Sequence, residues 1–377
     1  MDKKIVFVIP SLGKGGAERS LYNFIKGIEE LACVSVTVIV LNLGSHDYNE
    51  LFSNKVKFIY LNLTRTIFPT SWIKLIKTIN KSNPDLLISW SYIPNIIITL
   101  FKSYIITKKI YISERDATLH TVRHHTKGLM NILIPSIQRK LYTRANGLLL
   151  NSTQNLTMYR RFLKKENSFF YFIANAIPEE FKPQKIIKPS ISKIYNSANP
   201  FKFLIVGRMV YQKGFDIVLE ALAKISFKDY VLYAIGNGPE FENLRKRAKK
   251  LGISDKIVWL GSDIKPEQYY KQCDLLVFSS RHEGFPNVLL EGLINAIPVI
   301  TSDCLTGPIE MTENGKLALV FKSGCLEDLI LKIEHLYAQY PKFEEIAGMA
   351  QKKTIEKYNF QNIKKQYQSF ILNSLAN

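Results

Sequence analysis

The stretch of this chain richest in potential chemistry is residues 281–291, Arg-His-Glu-Gly-Phe-Pro-Asn-Val-Leu-Leu-Glu. An apolar run, Leu275, Leu276, Val277 and Phe278, leads into it, and Ile297, Pro298, Val299 and Ile300 follow. This reads as a buried strand, a short polar loop turning at Gly284 and Pro286, a helix, and the next strand of a parallel sheet. Such sheets bind ligands where strands hand over to helices, because a helix N-terminus offers unpaired N–H groups and the positive end of its dipole. Glu283 falls in the loop and Glu291 eight residues later. As solvated helix acids they would do no chemistry. As a glycosidase pair they stand too far apart, since eight helical residues rise about 12 Å and such carboxyls lie about 5–9.5 Å apart. The spacing suits two acids that hold different parts of one elongated ligand.

The elements that must position these acids repeat along the chain. Residues 201–206 (FKFLIV) form a strand run ending in Gly207 and Arg208, and Lys213 with Gly214 opens a helix over 215–225. A strand over 230–235 ends in Gly236, Asn237, Gly238 and Pro239; a helix over 241–250 and a strand over 256–260 follow. The first half begins with the run Ile5, Val6, Phe7, Val8, Ile9 and then Gly13, Lys14, Gly15, Gly16, Ala17, Glu18, Arg19. Leu21, Phe24, Ile25 and Ile28 recur at helical spacing, so a glycine-rich loop joins the first strand to the first helix. Glu18 stands where a dinucleotide fingerprint needs its third glycine, which argues against NAD.

Further strand runs lie at 34–40, 56–61, 85–90, 110–113, 147–152 and 169–173, with a helical window at 93–107 and a helical tail at 355–375. Glu114, Arg115 and Asp116 form a second charged cluster at a strand end. The Lys-, Pro- and Ser-rich segment before residue 201 breaks the pattern and reads as a linker. The expected organisation is a first domain over 1–182, a linker over 183–200 and a second domain over 201–357, with a closing helix at about 358–377 packing back on the first. Both domains are expected to be Rossmann-like, doubly wound α/β units facing a cleft.

Bulk properties narrow the classes. The 377 residues are 46% hydrophobic and 22% charged, the balance of a folded soluble protein. Fifty-one Lys and Arg against 32 Asp and Glu leave a formal +19, which implies anionic company: phosphorylated ligands, a membrane face or nucleic acid. No interleaved aromatic–basic motif supports nucleic acid. Cys33, Cys273, Cys304 and Cys325 are widely spaced and show no metal-ligand pattern, as in a reduced cytosolic compartment. The N-terminus runs straight into a strand, without a signal-peptide pattern. The most apolar window, 93–112, is broken by Pro94, Asn95, Lys102, Lys108 and Lys109, too interrupted to span a membrane. Residues 123–144 alternate Arg123, His124, His125, Lys127, Arg139, Lys140 and Arg144 with Leu129, Met130, Ile132, Leu133, Ile137 and Leu141, the composition of a membrane-surface helix.

Taken in order, residues 13–19 (GKGGAER), Gly207-Arg208 with Lys213-Gly214, Gly236 to Pro239, Glu283-Gly284-Phe285 with Glu291, and Ser302-Asp303 with Gly307-Pro308 resemble the family 4 nucleotide-sugar glycosyltransferases of GT-B fold. GGAER together with Ser113-Glu114-Arg115 looks like the members that extend lipid-linked or surface glycans, including N-acetylhexosamine transferases.

The resemblance implies that Arg208 and Lys213 grip the donor diphosphate, that Glu283 contacts donor-sugar hydroxyls and that Glu291 holds the ribose; Arg208, Lys213 and Glu283 are the catalytic candidates. The backbone of Gly284, Phe285, Pro286, Asn287 and Val288 would cap phosphate oxygens, and Asn237 and Gly238 would line the pocket. Gly13, Gly15, Gly16 and Glu18 would form the first domain's ligand loop. It further implies a retaining, metal-free transfer with no cofactor beyond a donor, expected to be a UDP-sugar. The acceptor would be a membrane-associated glycan, and the place of work the cytoplasmic face of the membrane. Many relatives carry a histidine where this chain reads Ile112-Ser113-Glu114-Arg115-Asp116. That leaves Glu114, Arg115, Asp116 and His120 as alternatives on the acceptor side. A sugar-nucleotide epimerase or another GT-B enzyme is the competing expectation.

Overall fold

The computed structural model describes residues 2–13, 15–41, 52–63, 69–115, 130–181 and 198–376. Lys14, Asp116, His120, Arg123, His124, His125, Lys127, Leu129 and all but the last three linker positions lie outside them. The chain divides into two compact units, one made of residues 1–179 and 358–377, the other of residues 180–357.

The first unit is built on a seven-stranded sheet: β1 (Lys3–Ile9), β2 (Val34–Val40), β3 (Val56–Tyr60), β4 (Leu86–Trp90), β5 (Ile110–Glu114), β6 (Gly147–Leu150) and β7 (Phe170–Phe172), in the order β3-β2-β1-β4-β5-β6-β7. Every pairing is parallel, for example Ile5 with Val36 on one side of β1 and with Leu86 on the other. Ile5 to Ile9 are all buried, because helices on both faces of a parallel sheet leave its strands no solvated side. The strands therefore read as unbroken apolar runs. On one side the helix Pro69–Ser82 packs Leu75, Ile76 and Ile79 into a core with Val6, Val8 and Leu87. On the same face further along, Tyr142, Tyr159 and Leu163 close over Ile112, Leu148 and Leu150.

The apolar window at 93–107 is shorter as a helix than its composition predicts. The helix runs Tyr92–Leu100, and Phe101 leaves helical geometry at φ −98°, ψ 18° before a single 3-10 turn at Lys102–Tyr104. The tail likewise consists of two helices, Tyr340–Tyr358 and Phe360–Ala376. Asn359 separates them, its side-chain oxygen accepting from the Asn362 backbone at 2.9 Å as an N-cap does. The last helix lies on Gly16–Ile28: the Tyr367 ring is 4.5 Å from that of Phe24, and Gln368 donates to the Gly27 carbonyl at 3.0 Å. A Cβ on Gly27 would come within 2.7 Å of Tyr367, so the close approach needs glycine there.

The second unit carries a six-stranded parallel sheet of β8 (Phe201–Val206), β9 (Tyr230–Ile235), β10 (Ile257–Gly261), β11 (Leu275–Phe278), β12 (Val299–Ser302) and β13 (Leu319–Phe321), ordered β10-β9-β8-β11-β12-β13. Phe201, Phe203, Val218, Leu222, Leu232, Val277, Ile333 and Leu336 form its core. In each sheet the chain starts in the middle, builds outward, then returns to the other side. The order therefore reverses between β1 and β4 and between β8 and β11, and at such a switch point neighbouring strands send their following loops apart and leave a crevice. Among the described residues no helix is long and apolar enough to cross a membrane.

Candidate active site

The loops after β8 and β11 meet at the switch point of the second unit. After β8 come Gly207 and Arg208, then a 3-10 turn at Tyr211–Lys213 and the helix Phe215–Lys224. After β11 come Ser279 to Pro286 and the helix Asn287–Ile294. Between them Lys213 Nζ donates to Glu283 Oε1 at 2.5 Å, with only 19% and 11% of the two side chains exposed. Ser280 Oγ donates to the same oxygen at 2.7 Å, and Thr306 Oγ1 donates to the Glu283 carbonyl. Arg208 is exposed and has no ion-pair partner among the described residues. One cation is thus paired with the acid and a second stands ready for an anion.

A frame of contacts holds these loops. Arg281 makes a two-pronged salt bridge to Asp216 at 2.9 and 2.8 Å, donates to the Tyr211 carbonyl at 2.6 Å and lies 3.9 Å from the centroid of the Tyr211 ring. Burial alone would raise the Asp216 carboxyl, but the hydrogen bonds and charge of Arg281 outweigh it and hold the group below its ordinary value. Gln212 donates to the His282 carbonyl at 2.8 Å, and Ser279 Oγ to the Lys213 carbonyl at 2.9 Å. Gly214 takes φ 65°, and a Cβ there would sit 2.2 Å from the Ser279 carbonyl oxygen. Neither the conformation nor the space admits another residue. Burial, with the charge of Glu283 adding to it, pushes the Cys304 thiol up to about 12, so this cysteine is a neutral packing group.

The remaining residues singled out in this unit take up three positions. Gly284, Phe285 and Pro286 are buried, and Asn287 and Val288 are half-buried at the start of the helix Asn287–Ile294. The N-cap residue of that helix, Pro286, provides no side-chain cap, and its first turn holds no acid, an N-terminus suited to a phosphate oxygen. Glu291 lies one turn in, its Oε2 accepting from the buried Tyr270 hydroxyl at 2.6 Å. Because the helix begins only at Asn287, the 12 Å estimate for the interval from Glu283 to Glu291 does not hold: just its second half is helical and rises about 6 Å. Asn237 and Gly238 lie on the loop after β9; the Asn237 carbonyl accepts from the Met209 backbone at 2.8 Å, which ties that loop to the one after β8.

In the first unit Trp90 links the glycine-rich segment to the Ser113-Glu114-Arg115 element: its Nε1 donates to the Ala17 carbonyl at 2.9 Å, and Arg115 lies over its ring. Gly15 caps the helix Gly16–Ile28, and its N–H donates to the Gly13 carbonyl at 2.8 Å. Glu18 folds back over Gly15, so close that a Cβ on Gly15 would lie 2.1 Å from its Oε2, and accepts from Ser11 Oγ at 2.9 Å. This helix N-terminus already has its negative partner. Glu114 is 1% exposed, and its Oε2 accepts from the hydroxyls of Tyr142 at 2.7 Å and Tyr159 at 2.9 Å. It is an interior acid. Burial, then the charge of Glu114, pushes both phenols well above their ordinary value. Arg115 is 9% exposed, stacks 3.8 Å from the centroid of the Trp90 ring and donates from Nε to Ser113 Oγ at 2.7 Å. Burial pushes its guanidinium down to about 9.

Reading the residues in order left Ser280, Thr306, Gln212 and the Arg281–Asp216 pair without roles. Their signal is three-dimensional: the partners lie 65 to 70 positions apart wherever they join the β8 and β11 loops.

Comparison with known proteins bears on the fold and on the family likeness of the chain. Residues 187–353 match the family described as glycosyl transferases group 1. The lipopolysaccharide 1,6-galactosyltransferase of Salmonella typhimurium is 28% identical over 191 residues, 46% of this chain and 53% of the relative. A Campylobacter jejuni enzyme, N-acetylgalactosamine-N,N'-diacetylbacillosaminyl-diphospho-undecaprenol 4-alpha-N-acetylgalactosaminyltransferase, is 28% identical over 200 residues, 53% of this chain and 52% of that one. The chain thus spans about half the length of these curated relatives. The crystal structure of HepE of Anabaena in complex with UDP-glucose superposes with a TM-score of 0.80 at 19% identity, covering 98% of this chain and 99% of that one. Residues 187–353 are thus similar to the glycosyl transferases group 1, and the fold of the chain is GT-B.

Proposed function

We propose that the protein is a retaining glycosyltransferase that moves a hexose or N-acetylhexosamine from a UDP-sugar to a membrane-associated glycan acceptor in lipopolysaccharide or surface-polysaccharide synthesis. The observation that carries the reading is the Lys213–Glu283 pair at the β8/β11 switch point, with the exposed Arg208 on the same loop after β8 as Lys213. A sugar diphosphate needs cations for its phosphates and a carboxylate for its hydroxyls, and here both kinds of group sit on adjoining loops.

In this reading Arg208 and Lys213 hold the diphosphate, with the N-terminus of the helix Asn287–Ile294 capping a phosphate oxygen. Glu283 accepts from a donor-sugar hydroxyl, and Glu291, oriented by Tyr270, accepts from the ribose. The acceptor hydroxyl attacks the anomeric carbon on the face the nucleotide leaves. The new C–O bond forms as the bond to phosphate breaks, the electron pair goes to the leaving diphosphate, and the acceptor proton passes to a phosphate oxygen. The two cations stabilise the charge that develops there, which is the differential binding a catalyst requires. No metal and no further cofactor takes part.

The first unit receives the acceptor. At its glycine loop Glu18 favours a hydroxyl-bearing group over a phosphate. The donor assignment draws support from HepE, whose structure holds UDP-glucose, and the lipid-linked acceptor from the Campylobacter relative, named for a diphospho-undecaprenol substrate. The helix Met130–Tyr142 adds support for a place on the inner face of the cell membrane: Leu133 and Ile137 are 45% and 55% exposed beside Arg139 and Lys140. Product analysis by proton NMR tests retention: the transferred sugar keeps the anomeric configuration of the donor, and an inverted product rules out this mechanism.

A further inference from the structure

We propose that Arg115 is the anion-binding residue of the first unit, holding with Asn151 a ligand that carries an oxyanion next to a hydroxyl, as a sugar phosphate or a sugar acid does. Arg115 directly follows β5, and side chains alternate between the faces of a strand. Glu114 therefore points to one face, where Tyr142 and Tyr159 engage it, and Arg115 to the other, against Trp90. The guanidinium spends Nε on Ser113, while its buried NH2 has no hydrogen-bond partner among the described residues. No carboxylate pairs with it among the described residues. The charge of Glu114 offsets the burial of Arg115 only in part, and a buried cation with an open donor arm is relieved by a ligand of opposite charge.

A second unpartnered group stands next to it. Glu114 and Leu150 are the last registered pair of β5 and β6, so Arg115 and Asn151 come next on neighbouring strands about 4.8 Å apart. Asn151 is 1% exposed, and its Oδ1 accepts no hydrogen bond among the described residues. A fork of donors that fits phosphate or carboxylate thus adjoins an acceptor that fits a hydroxyl. Naming this ligand as part of the acceptor rests on the proposed function; the anion site itself does not.

The test uses the full chain carrying Arg208→Ala and Lys213→Ala, which removes the cations assigned to the donor. Inorganic phosphate, glucuronate and neutral glucose are titrated against sodium chloride of equal ionic strength. The readouts are the thermal midpoint and the Nε–Hε resonance of Arg115, assigned by its loss in Arg115→Lys. Phosphate or glucuronate should shift that resonance saturably and raise the midpoint by about 3 °C at tenfold excess over its dissociation constant, glucose should do neither, and Arg115→Gln should abolish the rise. A response to phosphate alone identifies a phosphate ligand, and one to glucuronate alone a carboxylate. An unshifted Arg115 resonance with both anions, as expected if Arg115 and Asn151 are bridged by water, overturns the proposal, as does an equal rise in Arg115→Gln. Should that variant fail to fold, the resonance of the unsubstituted Arg115 decides. Donor hydrolysis by the natural chain is measured separately, so failure of this site and failure of the transferase reading are distinguishable.

Discussion

Lys213 Nζ and Glu283 Oε1 lie 2.5 Å apart although 70 residues separate them in the chain. The pair exists because β8 and β11 are neighbours at the point where the strand order reverses. Removing one partner leaves the other charge largely buried and only partly compensated, Glu283 by Ser280 and Lys213 by no other carboxylate among the described residues. Lys213→Ala is therefore expected to lower stability by about 2 kcal/mol, and adding Glu283→Gln to restore about half of it. Urea denaturation of the two single variants and the double checks this. Strict additivity would mean that the pair is not coupled.

Glu291 is expected to act on donor binding, not on the chemical step. Tyr270→Phe and Glu291→Gln should raise the KM for the donor about tenfold or more while kcat stays within about twofold, the pattern of lost uniform binding. Steady-state kinetics over a range of donor concentrations checks this; a fall in kcat at constant KM contradicts the ribose assignment.

The Asp216–Arg281 bridge makes a prediction about pH. Its folded-state value is lowered from 3.8, so its contribution is present above 3.8 and lost as pH falls through the folded value below that. The stability gap between the natural chain and Asp216→Asn is therefore constant near neutrality and narrows below about pH 3.8. Denaturation midpoints measured from pH 7 down to pH 2.5 check it, and a gap of fixed size across that range contradicts it.

For the membrane, Leu133 and Ile137 supply apolar contacts and Arg139 and Lys140 attract anionic lipid. Sedimentation with anionic liposomes at low salt should carry the protein down. Ile137→Asp should reduce binding at least tenfold, and 0.5 M sodium chloride should abolish most of it. Equal binding to neutral vesicles contradicts the electrostatic part.

Much of the fold was legible because strands buried on both faces betray themselves: Ile5 to Ile9 and Phe201 to Val206 carry no polar alternation beyond Lys202. The two parallel α/β sheets follow from such runs and the glycine loops between them, and the GT-B architecture from the family resemblance of the ordered motifs. Helix ends were less legible. Nothing in the apolar composition after Leu100 marks the turn at Phe101, and the break at Asn359 falls inside a tail whose period reads as one helix. In the candidate site the residue types were visible but their partners were not, since Lys213 meets Glu283, and Asp216 meets Arg281, only once two strands distant in sequence lie side by side. Glu114 is the clearest case: a charged residue closing a strand suggests a ligand, yet tyrosines from two later helices claim it.

The central claim is that the groups around Lys213 and Glu283 carry sugar transfer from a nucleotide donor. The most direct measurement is release of free nucleotide by the purified chain from a panel of UDP- and GDP-sugars, with slow donor hydrolysis read in the absence of acceptor. The account predicts UDP release from at least one UDP-sugar, lowered at least a hundredfold in Glu283→Ala and in Lys213→Ala while circular dichroism shows both variants folded. No release from any sugar nucleotide, or undiminished release in either folded variant, would contradict it.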